Sequence, residues 1–276
     1  MTTGTQWHGA VGDVWAAEWA RTDRSFAGLS PHLDAAILAA APAGGGRAVD
    51  LGCGAGQTSI ALAAARPDIK VTGVDVSAAL VAKARERGAD LGNLDFLVED
   101  VSARPKVAAQ ADLLVSRHGV MFFDAPDDVF ASLHAAVGPQ ARLVFSCFRS
   151  PALNPWAAGL VAAMTGGVPA APAGYAPGPF GFADPDRTAS MLAAADWRGA
   201  VPTAIDYDYV AGAGDDPVAD AVSFLCRVGP VAAAIGAAPD DVRVAMIDRL
   251  RAALAEHRDD DRVRFPAAAW IWTAHA

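Results

Sequence analysis

Ala48-Val49-Asp50-Leu51-Gly52-Cys53-Gly54-Ala55-Gly56-Gln57 is the stretch on which the reading of the fold turns. An apolar run enters a turn with three alternate glycines and leaves as a helical pattern. Glycines there allow positive φ and let backbone N–H groups approach a ligand at the carboxyl end of a strand, where open α/β sheets bind small molecules. Working outward, short apolar runs alternate with helical stretches from Arg47 to Phe148, the pattern of a parallel sheet with crossover helices. Strands are predicted at Arg47–Leu51, Lys70–Val74, Leu94–Val98, Ala111–Ser116 and Arg142–Phe148, with helices at Gln57–Arg66, Ser77–Ala89 and Pro126–Val137. Pro67 ends the first helix, Ser77 can cap the second and Gly138-Pro139 stops the third. The fold class is α/β, a Rossmann-like doubly wound sheet.

The acids that follow sharpen the loop's meaning. Asp75 ends the second strand, 19 residues after Gly56, where a carboxylate can accept two hydrogen bonds from a ribose diol. A third strand runs into Glu99-Asp100-Val101 and puts another acid at the same sheet edge, suited to an adenine amino group. A dinucleotide fingerprint would need its third glycine at position 57, where this chain has Gln57, and does not need Asp50. A nicotinamide-dependent oxidoreductase is therefore the weaker of two nucleotide readings, although the ribose-binding acid is common to both.

On these residues the chain resembles the class I S-adenosylmethionine-dependent methyltransferases from Val49 to about Phe148, and more weakly beyond. Ser116-Arg117-His118-Gly119-Val120-Met121-Phe122-Phe123 and Pro179-Phe180-Gly181-Phe182-Ala183-Asp184 look like the ubiquinone/menaquinone-biosynthesis type of small-molecule enzyme. The resemblance implies S-adenosylmethionine as cofactor, cradled by Asp50, Gly52, Cys53, Gly54 and Gly56 with Gln57 adjoining. It implies Asp75 on the ribose with Val76 beside the adenine, Asp100 near the adenine amino group with Val101 as its apolar neighbour, and Ser116 and Arg117 next to the methionine end. It also implies a seven-stranded sheet of order 3-2-1-4-5-7-6 with strand 7 antiparallel, which gives Thr203–Val210 and Ala268–Ala274 their places. The Asn-Pro-Pro-Tyr-like sequence of nucleic-acid amino methyltransferases is absent after the fourth strand.

The remainder of the 276 residues is read as one domain: 1–46 a helical cover, 47–148 the cofactor-binding half, 149–202 a lid and helix, and 203–276 the closing strands with a helical insertion. Trp15 to Ala41 is helical with a break at Leu29-Ser30-Pro31. Asp184-Pro185 opens a helix to about Asp196; Asp216–Ile235 and Asp240–Arg258 are helical, the latter with Val242, Met246, Leu250 and Leu254 on one face.

Composition excludes several classes. A net charge of −9 lacks the clustered cations that phosphate neutralisation needs, so no nucleic-acid partner is expected. Cys53, Cys147 and Cys226 form no metal-binding spacing, and free thiols with no metal are expected. The uncharged run Ser150–Ala183 is broken by six prolines, its longest proline-free piece being the 13 residues Trp156–Val168, so no membrane span is expected and the default location is cytoplasmic. That run is instead a candidate substrate cover.

Methyl transfer from a sulfonium needs an in-line nucleophile and a water-poor site more than a fixed motif. His118, at the end of the fourth strand, is the candidate catalytic base, with His8 as a second. Trp15, Trp19, Phe122, Trp156, Tyr175 and Phe180 are candidate substrate-binding residues, able to wall an apolar or planar ligand. Arg117 and Arg149 are cations that could hold a carboxylate. The leading function is methyl transfer to an O, N or C atom of a small, apolar or aromatic metabolite. A cofactor-binding protein or cyclase that transfers no methyl stays open beside it, as does oligomeric state.

Overall fold

A computed structural model of the chain describes residues 7–167 and 174–276. The strands are β1 (Gly46–Leu51), β2 (Ile69–Asp75), β3 (Leu94–Val98), β4 (Leu113–Arg117), β5 (Arg142–Phe148), β6 (Arg198–Ala213), β7 (Arg258–Asp259) and β8 (Arg262–His275). They form one sheet in the order β3-β2-β1-β4-β5-β8-β6, with the two-residue β7 paired to β8. β1 to β5 are parallel, and β8 runs antiparallel to both β5 and β6. This is the Rossmann-like order implied by the resemblance; the antiparallel strand becomes the eighth only because β7 precedes it.

Three helices lead into the sheet: α1 (Ala10–Ala17), α2 (Trp19–Ser25) and α3 (Ser30–Ala40). The crossovers are α4 (Gln57–Ala65), α5 (Ala78–Arg87) and α6 (Pro126–Ala136), followed by α7 (Ala158–Thr165), α8 (Pro185–Ala194), α9 (Pro217–Leu225), α10 (Gly229–Ala237) and α11 (Asp240–Ala255). The expected caps are made. Ser77 Oγ accepts from Leu80 N–H at 3.3 Å, and Asp184 Oδ1 accepts from the N–H groups of Asp186 and Arg187. Helices on both faces bury the central strands, which is why Val49, Leu51, Leu113 to Val115 and Leu143 to Phe145 are apolar without alternation. Leu29, Leu33 and Ile37 join the same core as Phe130, Leu133, Trp197 and Trp272.

Five expectations change. β6 spans 16 residues, twice the predicted Thr203–Val210, and β8 extends back to Arg262. The first half of β6 lies at the sheet edge and is largely exposed, so Arg198 to Asp206 carries no apolar signature, and Pro202 is tolerated there. Asp216–Ile235 is two helices, because Pro230 cannot donate to a helix continuing from α9. The N-terminal stretch breaks at Glu18 as well as near Leu29. In α11, Met246, Leu250 and Leu254 are buried, but Val242 in the first turn is 41% exposed.

Of the uncharged cover, residues 168–173 lie outside the described residues. Before them, Asn154 fastens the chain to β8 as a strand residue would: its Nδ2 donates to Ala268 O at 3.1 Å and its Oδ1 accepts from Ala268 N–H at 3.0 Å. Among the described residues no single helix is long and apolar enough to cross a membrane, and no cluster of His, Cys, Asp or Glu could hold a metal ion.

Candidate active site

β1 ends in the glycine loop. Gly52, Gly54 and Gly56 have φ of +65°, +54° and +85°. At Gly56 a Cβ would lie 2.8 Å from Phe96 Cζ and 3.0 Å from Ala84 Cβ, so both the backbone conformation and the packing demand glycine. Around Gly54, by contrast, nothing lies within 4 Å of an added Cβ, and its N–H donates to Asp75 Oδ2 at 2.9 Å. Asp75 Oδ1 accepts from Ser77 N–H at 2.9 Å, leaving each carboxylate oxygen with further lone-pair capacity. Burial raises the Asp75 carboxyl above the ordinary range, against the opposing pull of these backbone bonds.

Asp50 is buried deeper. Its Oδ2 accepts from Ser59 Oγ at 2.6 Å, while Oδ1 has no partner among the described residues. Desolvation pushes its pKa up to about 6, in spite of the Ser59 hydrogen bond and the field of Arg117. Cys53 is buried beside these carboxylates, and desolvation with their charge pushes its thiol well up, so it stays protonated. Asp100 is half-buried and holds Ser102 N–H at 2.9 Å through Oδ1; Val101 is buried and Val76 half-buried.

The fourth strand supplies the opposite wall. Ser116 is spent on structure: its Oγ donates to Leu51 O at 2.7 Å and accepts from the N–H groups of Gly119 and Val120. This draws the turn after β4 onto the glycine loop, where Gly119 Cα would lie 3.0 Å from a Cβ on Gly52. His118 holds a positive φ of 61°, uncommon for a residue with a side chain. Its Nδ1 meets Ser146 Oγ at 2.8 Å, and its ring lies 4.9 Å from Phe26 and 4.2 Å from Phe148. Burial and the adjacent Arg117 lower its pKa to about 3, so the imidazole is neutral at any physiological pH.

An ion cluster locks the N-terminal helices over this region. Asp23 of α2 takes Arg87 Nη2 on Oδ2 and Arg117 Nη2 on Oδ1, both at 2.7 Å. Arg87 also donates to Ala55 O and to Gln57 Oε1, so Gln57 holds the clamp, and Trp19 lies 4.1 Å beneath the same guanidinium. Trp15 and Phe122 meet at Trp7, with ring centroids 5.7 and 5.1 Å from it. His8, exposed next to Trp7, lies close enough to Asp75 to favour its charged form.

Among the aromatic candidates, Trp156 is buried, stacks on Tyr209 at 4.5 Å and lies 4.9 Å from Phe148; Phe180 reaches Phe148 at 6.0 Å. Tyr175 sits apart from this group. Its hydroxyl donates to the carbonyls of Phe123 and Met121 and its ring stacks on Phe182. Arg149 bonds Asp206 at 2.8 Å and covers Trp270. Sequence reasoning missed Trp7, Asp23, Phe26, Tyr207 and Tyr209. Only the Tyr207-x-Tyr209 alternation on a strand carried a signal, two aromatics on one face.

Residues 48–140 match the family model described as a methyltransferase domain. Over 96 residues the chain is 35% identical to a trans-aconitate 2-methyltransferase of Paracidovorax citrulli, a stretch that covers 34% of this chain and 36% of that protein. The chain thus aligns with about a third of the length of that curated relative. Among solved structures it is similar to the YcgJ protein of Bacillus subtilis, with 15% identity, TM-score 0.56 and coverage of 88% of this chain and 97% of that one. It is also similar to a Haemonchus contortus phosphoethanolamine N-methyltransferase 2 in complex with phosphomonomethylethanolamine and S-adenosylhomocysteine, with 14% identity, TM-score 0.53 and coverage of 99% and 57%. At these identities the two structures establish the shared fold.

Proposed function

We propose, for a chain whose residues 48–140 belong to the class I S-adenosylmethionine-dependent methyltransferase family, that it is an enzyme binding S-adenosylmethionine along the glycine loop and methylating a small metabolite. The observation that carries this reading is the loop itself: three left-handed glycines between the unpartnered Asp50 Oδ1 and the Asp75 carboxylate. The residues fit the cofactor. Open space at Gly54 admits a ligand against bare backbone, and an orphaned buried carboxylate oxygen suits an ammonium donor. In this reading Asp50, Gly52, Cys53, Gly54 and Gly56 line the methionine and ribose portion. Asp75 takes the ribose hydroxyls, Val76 and Val101 flank the adenine and Asp100 meets its amino group.

When bound, the cofactor supplies an electrophilic methyl carbon on a sulfonium. The chain's own work is then to exclude water and orient the acceptor. The Asp23 clamp holds α2 over the site, and Phe26, Phe148, Trp156 and Tyr209 supply an apolar wall beside His118. A histidine of pKa about 3 is a poor general base near neutrality, so His118 positions an acceptor rather than deprotonating it. Gln57, whose Oε1 accepts from Arg87, and Ser116, whose hydroxyl is taken by Leu51 O and two backbone N–H groups, support the loop from behind.

Titration calorimetry with S-adenosylhomocysteine tests the reading. Binding by the wild type that is lost in Asp75→Ala is expected; no binding by the wild type overturns it.

A further inference from the structure

Gly54 and Gly56 flank Ala55 in the loop after β1, with φ of +54° and +85°. Glycine reaches such angles without strain, and for the same reason nothing in its own chemistry confines it to them. The loop's shape must come from what its backbone is tied to. Cys53 N–H donates to Val74 O and Gly56 N–H to Cys53 O, both at 3.0 Å, and Gly54 N–H to Asp75 Oδ2 at 2.9 Å. The Ala55 carbonyl is held by a cation: Arg87 Nη1 donates to it at 2.6 Å. The Ala55–Gly56 peptide is thus fixed at both ends, its N–H on Cys53 and its C=O on Arg87.

Arg87 ends α5, and its guanidinium is itself held from two sides. Nη2 donates to Gln57 Oε1 and to Asp23 Oδ2, each at 2.7 Å, and the guanidinium carbon lies 4.1 Å from the centre of the Trp19 ring. Asp23 and Trp19 both belong to α2, so one planar group bonds the loop and the N-terminal cover together. The other oxygen of Asp23 takes Arg117 Nη2 at 2.7 Å, which keeps the carboxylate aimed. The Arg87 side chain is only 14% exposed. Three acceptors in three directions suit a rigid fork and not an ammonium on a flexible stem. Two residues earlier on the same helix, Arg85 offers a comparison. It donates to Phe96 O through Nε at 3.2 Å and Nη2 at 2.6 Å, tying α5 to β3 by the same chemistry without a bond to the loop.

We propose that Arg87 is a positioning residue for the cofactor, holding the glycine loop in the conformation that receives S-adenosylmethionine, and that Asp23 makes this hold depend on α2 being seated. The inference rests on the methyltransferase reading above. Arg87 acts through the Ala55 carbonyl, and Asp23 acts through Arg87. Loop shape and cover position are then linked: the cofactor binds more tightly when α2 is docked, and by reciprocity bound cofactor secures α2.

Titration calorimetry with S-adenosylhomocysteine on the full-length protein compares wild type, Arg87→Lys, Asp23→Asn, the double variant and Arg85→Lys, beside their denaturant midpoints without ligand. Arg87→Lys is expected to weaken binding about tenfold or more, while Arg85→Lys, which also loses a guanidinium-to-carbonyl tie, stays within about twofold of wild type. Asp23→Asn should weaken binding about three- to tenfold, and the double variant no more than about twofold beyond Arg87→Lys, because both changes act through one guanidinium. Hydrogen exchange in ligand-free protein should quicken across residues 52–57 in Arg87→Lys and Asp23→Asn but not in Arg85→Lys. A residue that only stabilised the fold would lower the denaturant midpoint and move neither readout. The proposal is overturned if Arg87→Lys or Asp23→Asn binds as well as wild type, or if Arg85→Lys weakens binding as much as Arg87→Lys. Additive effects in the double variant, or unchanged exchange in the loop, overturn it too. If Arg87→Lys does not fold, Asp23→Asn decides alone, since it keeps the side chain's size and every bond within the loop. Failure of the wild type to bind S-adenosylhomocysteine is a different result, which removes the methyltransferase reading itself.

Discussion

The edge of the sheet around β1 and β2 and the wall beyond β4 are built by opposite means. Around Asp50, Gly54 and Asp75 the lining is mostly backbone, assembled from about 30 consecutive residues and tied by side chain to backbone bonds such as Gly54 N–H to Asp75. Beyond β4 the surface is side chain, collected from Phe26, His118, Phe148, Trp156, Tyr207 and Tyr209. The first region holds carboxylates, the second buried His118 Nε2 and Tyr207 Oη atoms without partners among the described residues. The difference separates two kinds of construction: a loop written within one short stretch of chain, and a wall made of whatever distant segments the fold brings together.

The largest expected effect would break the backbone-built region. Asp75→Ala removes the acceptor of two backbone N–H groups, and calorimetry should show S-adenosylhomocysteine binding weakened by at least about 100-fold. Asp50→Asn probes the same region through pH. An acid whose folded pKa is raised to about 6 stabilises the fold fully below its unfolded pKa near 4 and loses that stability as pH rises through 6. Wild type without ligand should therefore lose about 3 kcal/mol between those limits, a slope that chemical denaturation should find flattened in Asp50→Asn.

Asp23→Ala tests the clamp joining the two regions. It strands Arg87 and Arg117, which are mostly buried, and should cost about 2 kcal/mol in denaturant midpoint, less than a fully buried pair because water reaches the cluster. Gly56→Ala is expected to cost about 1–2 kcal/mol from the left-handed φ and the contact with Phe96. On the side-chain wall the smallest effect is informative. His118→Gln should alter acceptor affinity while leaving the shape of the wild-type pH–rate profile around pH 6.5 unchanged, since His118 does not titrate there.

The contrast also sets how far the chain could be read unaided. The caps at Ser77 and Asp184 and the cluster of Asp50, three glycines and Asp75 were legible because each is a short-range signal, whereas the sheet order followed only from the family resemblance. Residues chosen by chemistry alone fared unevenly. Gln57 and Ser116 stand at the loop, but the Gln57 Oε1 is taken by Arg87 and the Ser116 hydroxyl by Leu51 O and neighbouring N–H groups, and Tyr175 spends its hydroxyl on two carbonyls. Residue type and position say nothing about which bonds an atom already makes. Asp23, Phe26 and Tyr207 were illegible, since their importance lies in contacts across 60 or more residues of chain.

What the linear chain contains, then, is the α/β class, the strand-to-loop-to-helix turn and the acids at successive strand ends, because local φ preferences and apolar periodicity are written within a few residues. Only the folded molecule decides that burial holds His118 neutral, that Arg117 Nη2 is taken by Asp23, and that Tyr207 is closed in against the backbone of Gly28. Those properties arise from burial and from fields between distant segments, and neither exists until the chain has closed on itself.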